Sequence, residues 1–327
     1  MKKVAIITQY PKNVDELFKI AKKSLEFVEE IAVLKPVTSD ERRAALEEAQ
    51  ALITNMIGKD ELDIAKNLGF VQVPFAGVDT FDLEELFKRG ILLANVHSNA
   101  TSVAEFAFSL LISLAKDLVR SDRDLRKGYW HGWMGREQNL ELQGKTVCIV
   151  GFGSIGKEIG RLCKAFGMNV IGVKRTLETV PQDYEMYAQD NLLKAVTKAD
   201  FVVSVLPLTK ETRELINRDV FNAMSGKYFI NVGRGLVVKE DDLFVALKNR
   251  VLKGAAIDTW WAYPAQPMQY AYPSKYPFWE LDNIIMTSHA AGYSDNAVPR
   301  MWEDSVLNVV RYLKGEKPEN LITEKGY

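Results

Sequence analysis

Three short segments of this sequence place reactive side chains where chemistry could use them. Arg234 stands in Asn231-Val232-Gly233-Arg234-Gly235, directly after an apolar run that begins at Tyr228. An arginine at the C-terminal edge of a parallel strand points into the crevice where such sheets bind ligands. Its planar fork can grip a carboxylate with two parallel hydrogen bonds. His289, the last of three histidines, lies in Ser288-His289-Ala290-Ala291-Gly292 after a further apolar run, residues 284–287. Imidazole suits proton exchange with a hydroxyl or keto oxygen near neutral pH. The third segment is Thr146-Val147-Cys148-Ile149-Val150-Gly151-Phe152-Gly153-Ser154-Ile155-Gly156. It follows a strand and opens a helix, which is the context that gives a Gly-x-Gly-x-x-Gly run its meaning. Gly151 permits the tight turn, Gly153 lets the backbone approach a pyrophosphate, and Gly156 permits close helix–strand packing. Ser154 and Ile155 lie at the helix N-terminus, where unpaired N–H groups and the positive end of the dipole favour phosphate.

These segments need a scaffold, and the patterning supplies one. Short apolar runs predict strands at 3–8, 51–55, 70–73 and 91–95, with helices at 14–23, 39–50, 60–66 and 83–89. Short strands alternating with helices predict a parallel α/β sheet. Thr8-Gln9-Tyr10-Pro11 follows the first strand, so this half lacks a glycine-rich phosphate turn and is not the nucleotide site. A long helix comes next. Ser102-Val103-Ala104-Glu105 fits a capping box at its start. Phe106, Phe108, Leu110, Leu111, Ile112, Leu114 and Leu118 then cover nearly its whole circumference, which predicts burial on several sides. Residues 128–139 read as a connecting loop. A second α/β series follows, with strands at 146–150, 169–173, 201–206, 228–232, 255–258 and 284–287. A final amphipathic helix at 298–313 has Pro299 in its first turn and Gly315 past its end.

Composition excludes several classes. A chain of 327 residues predicts about two domains. Lys and Arg number 42 against 43 Asp and Glu, which lacks the basic excess of a nucleic-acid binder. Two cysteines exclude a disulfide framework, and three histidines leave little material for a metal centre, so no metal is expected. The N-terminal apolar run is too short for a signal peptide, and residues 103–115 contain Glu105 and fall short of a membrane span. A soluble cytoplasmic protein with reduced thiols is the expectation.

The strand after the fingerprint bears on the cofactor. A carboxylate about 20 residues on normally accepts hydrogen bonds from the adenine ribose and selects NAD. Here the strand ends Val173-Lys174-Arg175-Thr176, and the first acid is Glu178. Lys174 and Arg175 suit a 2′-phosphate, so NADP is expected to be preferred, with NAD possible.

Taken in order, these motifs resemble the D-isomer-specific 2-hydroxyacid dehydrogenase family, almost end to end. The resemblance is carried by Phe75-Ala76-Gly77-Val78-Asp79, Ser102-Val103-Ala104-Glu105, the fingerprint, Leu206-Pro207-Leu208-Thr209 with Thr212, the Asn231 to Gly235 run, Gly254-Ala255-Ala256-Ile257-Asp258, and His289 with Gly292. It implies two Rossmann-like or flavodoxin-like doubly wound domains. The nucleotide domain (99–292) is inserted into the substrate domain (1–98 and 293–327). It implies reversible reduction of a 2-oxo acid, such as glyoxylate or hydroxypyruvate, to the D-2-hydroxy acid. Arg234 would bind the substrate carboxylate and polarise the keto group, and His289 would exchange the proton. Backbone N–H groups near Ala76 and Gly77 would hold the carboxylate. Leu206, Pro207, Thr212, Val232, Gly233 and Asp258 would line the cofactor site, with the nicotinamide near Asp258. A homodimer through the nucleotide domain is implied as well.

The sequence also departs from the family pattern. A glutamate that normally pairs with the catalytic histidine is replaced, in Asp258-Thr259-Trp260-Trp261-Ala262-Tyr263-Pro264, by Tyr263. A phenol is neutral near pH 7 and does not hold a protonated histidine by charge. Ser288 and Lys239 stand where proline and aspartate are usual. Ser98-Asn99 and the tryptophan-rich segment resemble the formate dehydrogenase branch, in which Asn99 would contact substrate. Two alternatives therefore stand beside the oxoacid reductase: a formate-type small-anion dehydrogenase, and a nucleotide-sensing binding protein with little turnover. The dense aromatic run from Trp260 to Trp279 is either a wall for a bulky substrate, or a packed loop or dimer contact.

Overall fold

The computed structural model describes residues 1–8, 31–132, 138–177, 183–265 and 269–323. The helix expected at 14–23 and the acid Glu178 lie outside the described residues. The chain divides into two compact units, Met1–Asn99 with Ser294–Tyr327, and Ala100–Tyr293.

The first unit holds a sheet of β1 (Lys2–Ile7), β2 (Ile31–Leu34), β3 (Ala51–Thr54), β4 (Phe70–Gln72) and β5 (Leu92–Ala94), in the order β2-β1-β3-β4-β5. Every pairing is parallel. Parallel strands need crossovers, and α1 (Ser39–Glu48), α2 (Lys59–Ile64) and α3 (Leu83–Lys88) provide three of them. One face of the sheet packs Leu46, Leu62 and Leu86 against Leu52, Val71 and Leu93. The other face receives the end of the chain. Helix α10 (Ala297–Lys314) buries Trp302, Val306, Val309 and Val310 against Val4, Ile6, Ile53 and Phe70. Gly315 ends that helix at φ 77°, the left-handed conformation expected of a C-terminal glycine. This packing brings the last thirty or so residues back to the first hundred.

The second unit carries a seven-stranded parallel sheet. Its strands are β6 (Thr146–Val150), β7 (Asn169–Lys174), β8 (Glu185–Ala188), β9 (Phe201–Ser204), β10 (Tyr228–Asn231), β11 (Gly254–Ile257) and β12 (Ile284–Met286), in the order β12-β11-β10-β9-β6-β7-β8. All pairings are again parallel. The direction of strand succession reverses between β6 and β9, and such a switch point is where doubly wound sheets bind ligands. Helices α4 (Ala100–Lys116) and α6 (Ser154–Ala165), with α5 (Leu118–Arg126) between them in the chain, put Ala104, Phe108, Leu111, Ile159 and Cys163 on one face, packed on Val147, Ile149, Val203 and Ile230. Helices α7 (Leu192–Thr197), α8 (Arg218–Ala223) and α9 (Glu240–Lys248) cover the other.

The expected α/β class with two doubly wound parallel sheets is what the structure has. One local expectation needs correction, and two strands are additional. Helix α4 begins at Ala100, so Ser102 lies inside its first turn and does not cap it. The Ser102 hydroxyl instead donates to the Ala291 carbonyl at 2.9 Å, a tertiary use that outweighs the local capping pattern. Strands β2 and β8 were not predicted. Both form sheet edges and pair on one side only. Their Ile-Ala-Val-Leu and Glu-Met-Tyr-Ala residues lack the fully buried pattern of the central strands.

Candidate active site

The sharpest local geometry is the fingerprint turn. Gly151 has φ 101°, a conformation that side chains resist, and its N–H and that of Phe152 both donate to Val173 O. A Cβ on Gly156 would lie 2.6 Å from the Gly151 carbonyl, so only glycine allows α6 to start this close to β6. Gly153 differs: a Cβ there would meet no protein atom within 4 Å. No protein contact demands glycine at this position, and the open space lies at the N-terminus of α6. There the N–H groups of Ser154, Ile155 and Gly156 have no acceptor within the helix. This is the geometry required to seat a pyrophosphate against a helix N-terminus.

Lys174 ends β7, and Arg175 and Thr176 follow it on the exposed side. Arg175 lies close enough to Glu211 to help hold that carboxyl below its usual range, after the larger effect of a hydrogen bond from Thr209. Glu211 belongs to the loop after β9. Leu206 and Pro207 open that loop, and Thr212 fixes its shape. The Thr212 hydroxyl donates to Pro207 O at 2.6 Å and accepts from the Thr209 N–H at 2.8 Å.

Arg234 is displayed by a loop that two backbone approaches confine. A Cβ at Gly233 would lie 2.6 Å from Leu206 O, and one at Gly235 would lie 2.0 Å from Trp260 O. Glycine on both sides therefore lets the Arg234 loop sit between the loops that follow β9 and β11. Val232 is buried beneath it, and the Arg234 guanidinium donates to Gly233 O at 3.0 Å.

His289 is exposed and has φ 56°, an uncommon conformation for a residue with a side chain. Its N–H donates to Asp258 O at 2.8 Å. The Asp258 carboxylate, fully buried, accepts from Thr287 Oγ1 at 2.7 Å and from the N–H groups of Ala290 and Ala291 at 3.0 and 3.2 Å. Asp258 thus holds the turn that presents His289.

Tyr263 reaches the same place. Its ring centroid is 5.5 Å from that of His289, and its hydroxyl accepts from the Trp260 N–H at 3.1 Å. The group beside His289 is therefore a phenol, which brings no negative charge at neutral pH. Replacing it with a carboxylate, as Tyr263→Glu, stabilises the protonated imidazole and raises the pH at which His289 loses its proton. The midpoint of the His289 ring titration, followed by NMR, should then move upward by about one unit or more. An unmoved midpoint would show that residue 263 does not act on His289.

Trp260, Trp261, Phe278, Phe244 and Tyr276 pack on one another, with Trp261 stacked on Phe278 at 5.5 Å and Phe244 on Tyr276 at 5.1 Å. This part of the aromatic run is a packed loop. Tyr270 and Tyr272 remain exposed.

Ala76, Gly77 and Asn99 belong to the first unit. Ala76 and Gly77 are half-buried in the loop after β4, where Ala76 O accepts from Asn95 Nδ2 at 2.5 Å. Asn99 Oδ1 is buried without a hydrogen-bond partner. Both thiols are buried, and burial pushes Cys148 and Cys163 up to about 12, far from a reactive thiolate. No helix among the described residues is long and apolar enough to cross a membrane. The signal that sequence reading missed is the set of buried polar residues behind the site, Asn231 and Thr259 above all.

A glycine turn at a sheet switch point, with an arginine after β10 and a histidine after β12 on either side of β11, defines a dinucleotide-dependent α/β enzyme site. Comparison with known proteins supports this and narrows it. Residues 108–291 match the family model "D-isomer specific 2-hydroxyacid dehydrogenase, NAD binding domain". The chain is 33% identical to a glyoxylate reductase of Thermofilum pendens, over 84% of this chain and 80% of that one. It is 29% identical over 94% of its length to a D-3-phosphoglycerate dehydrogenase of Methanocaldococcus jannaschii, and it spans 58% of that longer protein. Its structure is similar to that of the PH0520 protein of Pyrococcus horikoshii. The TM-score is 0.81 at 28% identity, over 99% of this chain and 96% of the other. The chain belongs to the D-isomer-specific 2-hydroxyacid dehydrogenases, a family of NAD(P)-dependent oxidoreductases.

Proposed function

We propose that this protein reduces a small 2-oxo acid of the glyoxylate or hydroxypyruvate type to the D-2-hydroxy acid, drawing hydride from NADPH. The observation that carries this reading is the pairing of Arg234 and His289 on loops tied together at one sheet edge. Arg234 offers the planar donor pair that a carboxylate takes bidentately, and its positive charge favours electron density moving to the keto oxygen. His289 gives that oxygen a proton as the reduction proceeds, and takes it back in the reverse direction. The likeness to glyoxylate reductases supports the substrate class.

The residues fit a dinucleotide: the space at Gly153 and the N-terminus of α6 suit its pyrophosphate. When bound, the nicotinamide supplies the hydride. Lys174 and Arg175 support NADP over NAD, because they put two cations and no acid at the end of β7. Replacing Lys174 and Arg175 together with alanine should weaken NADPH by about tenfold to a hundredfold and NADH by much less. Titration of protein fluorescence with each cofactor measures this. Equal losses for the two would remove the 2′-phosphate argument.

A further inference from the structure

We propose that Asn231, Asp258 and Thr259 form one buried polar frame that holds the Arg234 loop and the His289 loop in a common register, with Asn231 and Thr259 as its positioning residues. The roles of Arg234 and His289 are taken from the function proposed above. The frame itself rests on geometry.

All three residues are at most 1% exposed. Asn231 ends β10, and Asp258 and Thr259 directly follow β11, its parallel neighbour. The Asn231 amide makes three bonds. Nδ2 donates to Arg234 O at 3.1 Å and to Thr259 Oγ1 at 3.0 Å, and Oδ1 accepts from the Gly233 N–H at 3.3 Å. Asn231 thereby grips the main chain on both sides of the Arg234 Cα. The main chain continues the link, since the Asp258 N–H donates to Asn231 O at 3.0 Å. From there the Asp258 carboxylate and carbonyl reach Thr287, His289, Ala290 and Ala291 as described above. An unbroken set of bonds therefore runs from the Arg234 carbonyl to the His289 N–H.

Desolvating three polar side chains at one spot is unfavourable unless every partner is present. Here the partners are mostly loop backbone, and the two loops so held carry the two reactive side chains. An apolar core at this edge would leave each loop to find its own position. Displacement of a reactive group by about an ångström costs on the order of a hundredfold in rate.

The test compares Thr259→Val, which keeps the shape and removes the hydroxyl, with Thr259→Ser, which keeps the hydroxyl. For Thr259→Val, KM for glyoxylate should rise about tenfold and kcat fall about tenfold, with NADPH affinity unchanged. Thr259→Ser should restore most of both. A merely structural role would lower the amount of folded enzyme and so kcat, leaving KM untouched. That result, or a Thr259→Ser variant as impaired as Thr259→Val, overturns the proposal. Hydrogen exchange gives a readout that needs no turnover. In Asn231→Ala, or in Thr259→Val if the alanine variant does not fold, exchange should quicken in both 232–236 and 287–292 and stay unchanged in 151–156. Faster exchange in 232–236 alone would show that the loops are not coupled. If the wild-type protein turned over no 2-oxo acid, the functional reading would fail, and the exchange result would still decide the frame.

Discussion

Asparagine in place of His289 lowers kcat for 2-oxo acid reduction by about 10²- to 10⁴-fold, the range that a positioned general acid contributes. Asparagine is the informative choice because of the backbone. At φ 56° His289 occupies a region that asparagine enters more readily than other residues with side chains. The bonds from Asp258 to residues 287–291 are to Thr287 and to backbone N–H groups, so none of them needs the imidazole. The turn therefore stays formed, and proton exchange is what disappears. KM for the oxo acid should change little, since the role proposed for Arg234 puts the carboxylate there. Steady-state kinetics beside a thermal melt checks this. A variant with wild-type kcat would take His289 out of the reaction.

Arg234→Ala has an effect of similar size and a different signature. On the proposed role, removing the guanidinium takes away a charge-assisted bidentate partner of the substrate, and kcat/KM should fall about 10²- to 10³-fold, or ~3–4 kcal/mol of transition-state stabilisation. KM should rise as well as kcat fall, because the carboxylate is bound before and during the reaction. Arg234→Lys should recover only part of the loss, since an ammonium keeps the charge without the planar fork. Its backbone supports both variants: Asn231 and the close approaches at Gly233 and Gly235 hold this loop through its main chain, and the bond that goes with the guanidinium is the one to Gly233 O. Equal kcat/KM for wild type and Arg234→Ala would mean that the carboxylate is held elsewhere.

The central strands of both sheets were legible because each is a short, largely apolar run that a two-sided parallel sheet requires. The fingerprint was legible for a related reason: its glycines answer a local turn and a local helix start. Arg234 and His289 were readable from their place after such runs. What could not be read is what residues do across the sheet. Ser102 and Glu105 match a capping pattern, yet the Ser102 hydroxyl is drawn to Ala291, 189 positions away. Asn231 meets Thr259 across 28 positions and Asp258 meets Ala290 across 32, and only the order β12-β11-β10 makes them neighbours. The left-handed turn at His289 has no glycine to announce it. Tyr263 could be placed beside His289 only through resemblance. The structure gives the contact itself, with the phenol anchored on the Trp260 N–H.

The most direct measurement is cofactor oxidation itself. The purified protein is mixed with NADPH and, in turn, glyoxylate, hydroxypyruvate and pyruvate, while the absorbance of reduced nicotinamide is followed. The predicted result is oxidation that depends on the oxo acid, yields glycolate from glyoxylate and the D-2-hydroxy acid from the other two, and is lost in Arg234→Ala. Tight NADPH binding without turnover of any 2-oxo acid, or turnover that survives in Arg234→Ala, would contradict it.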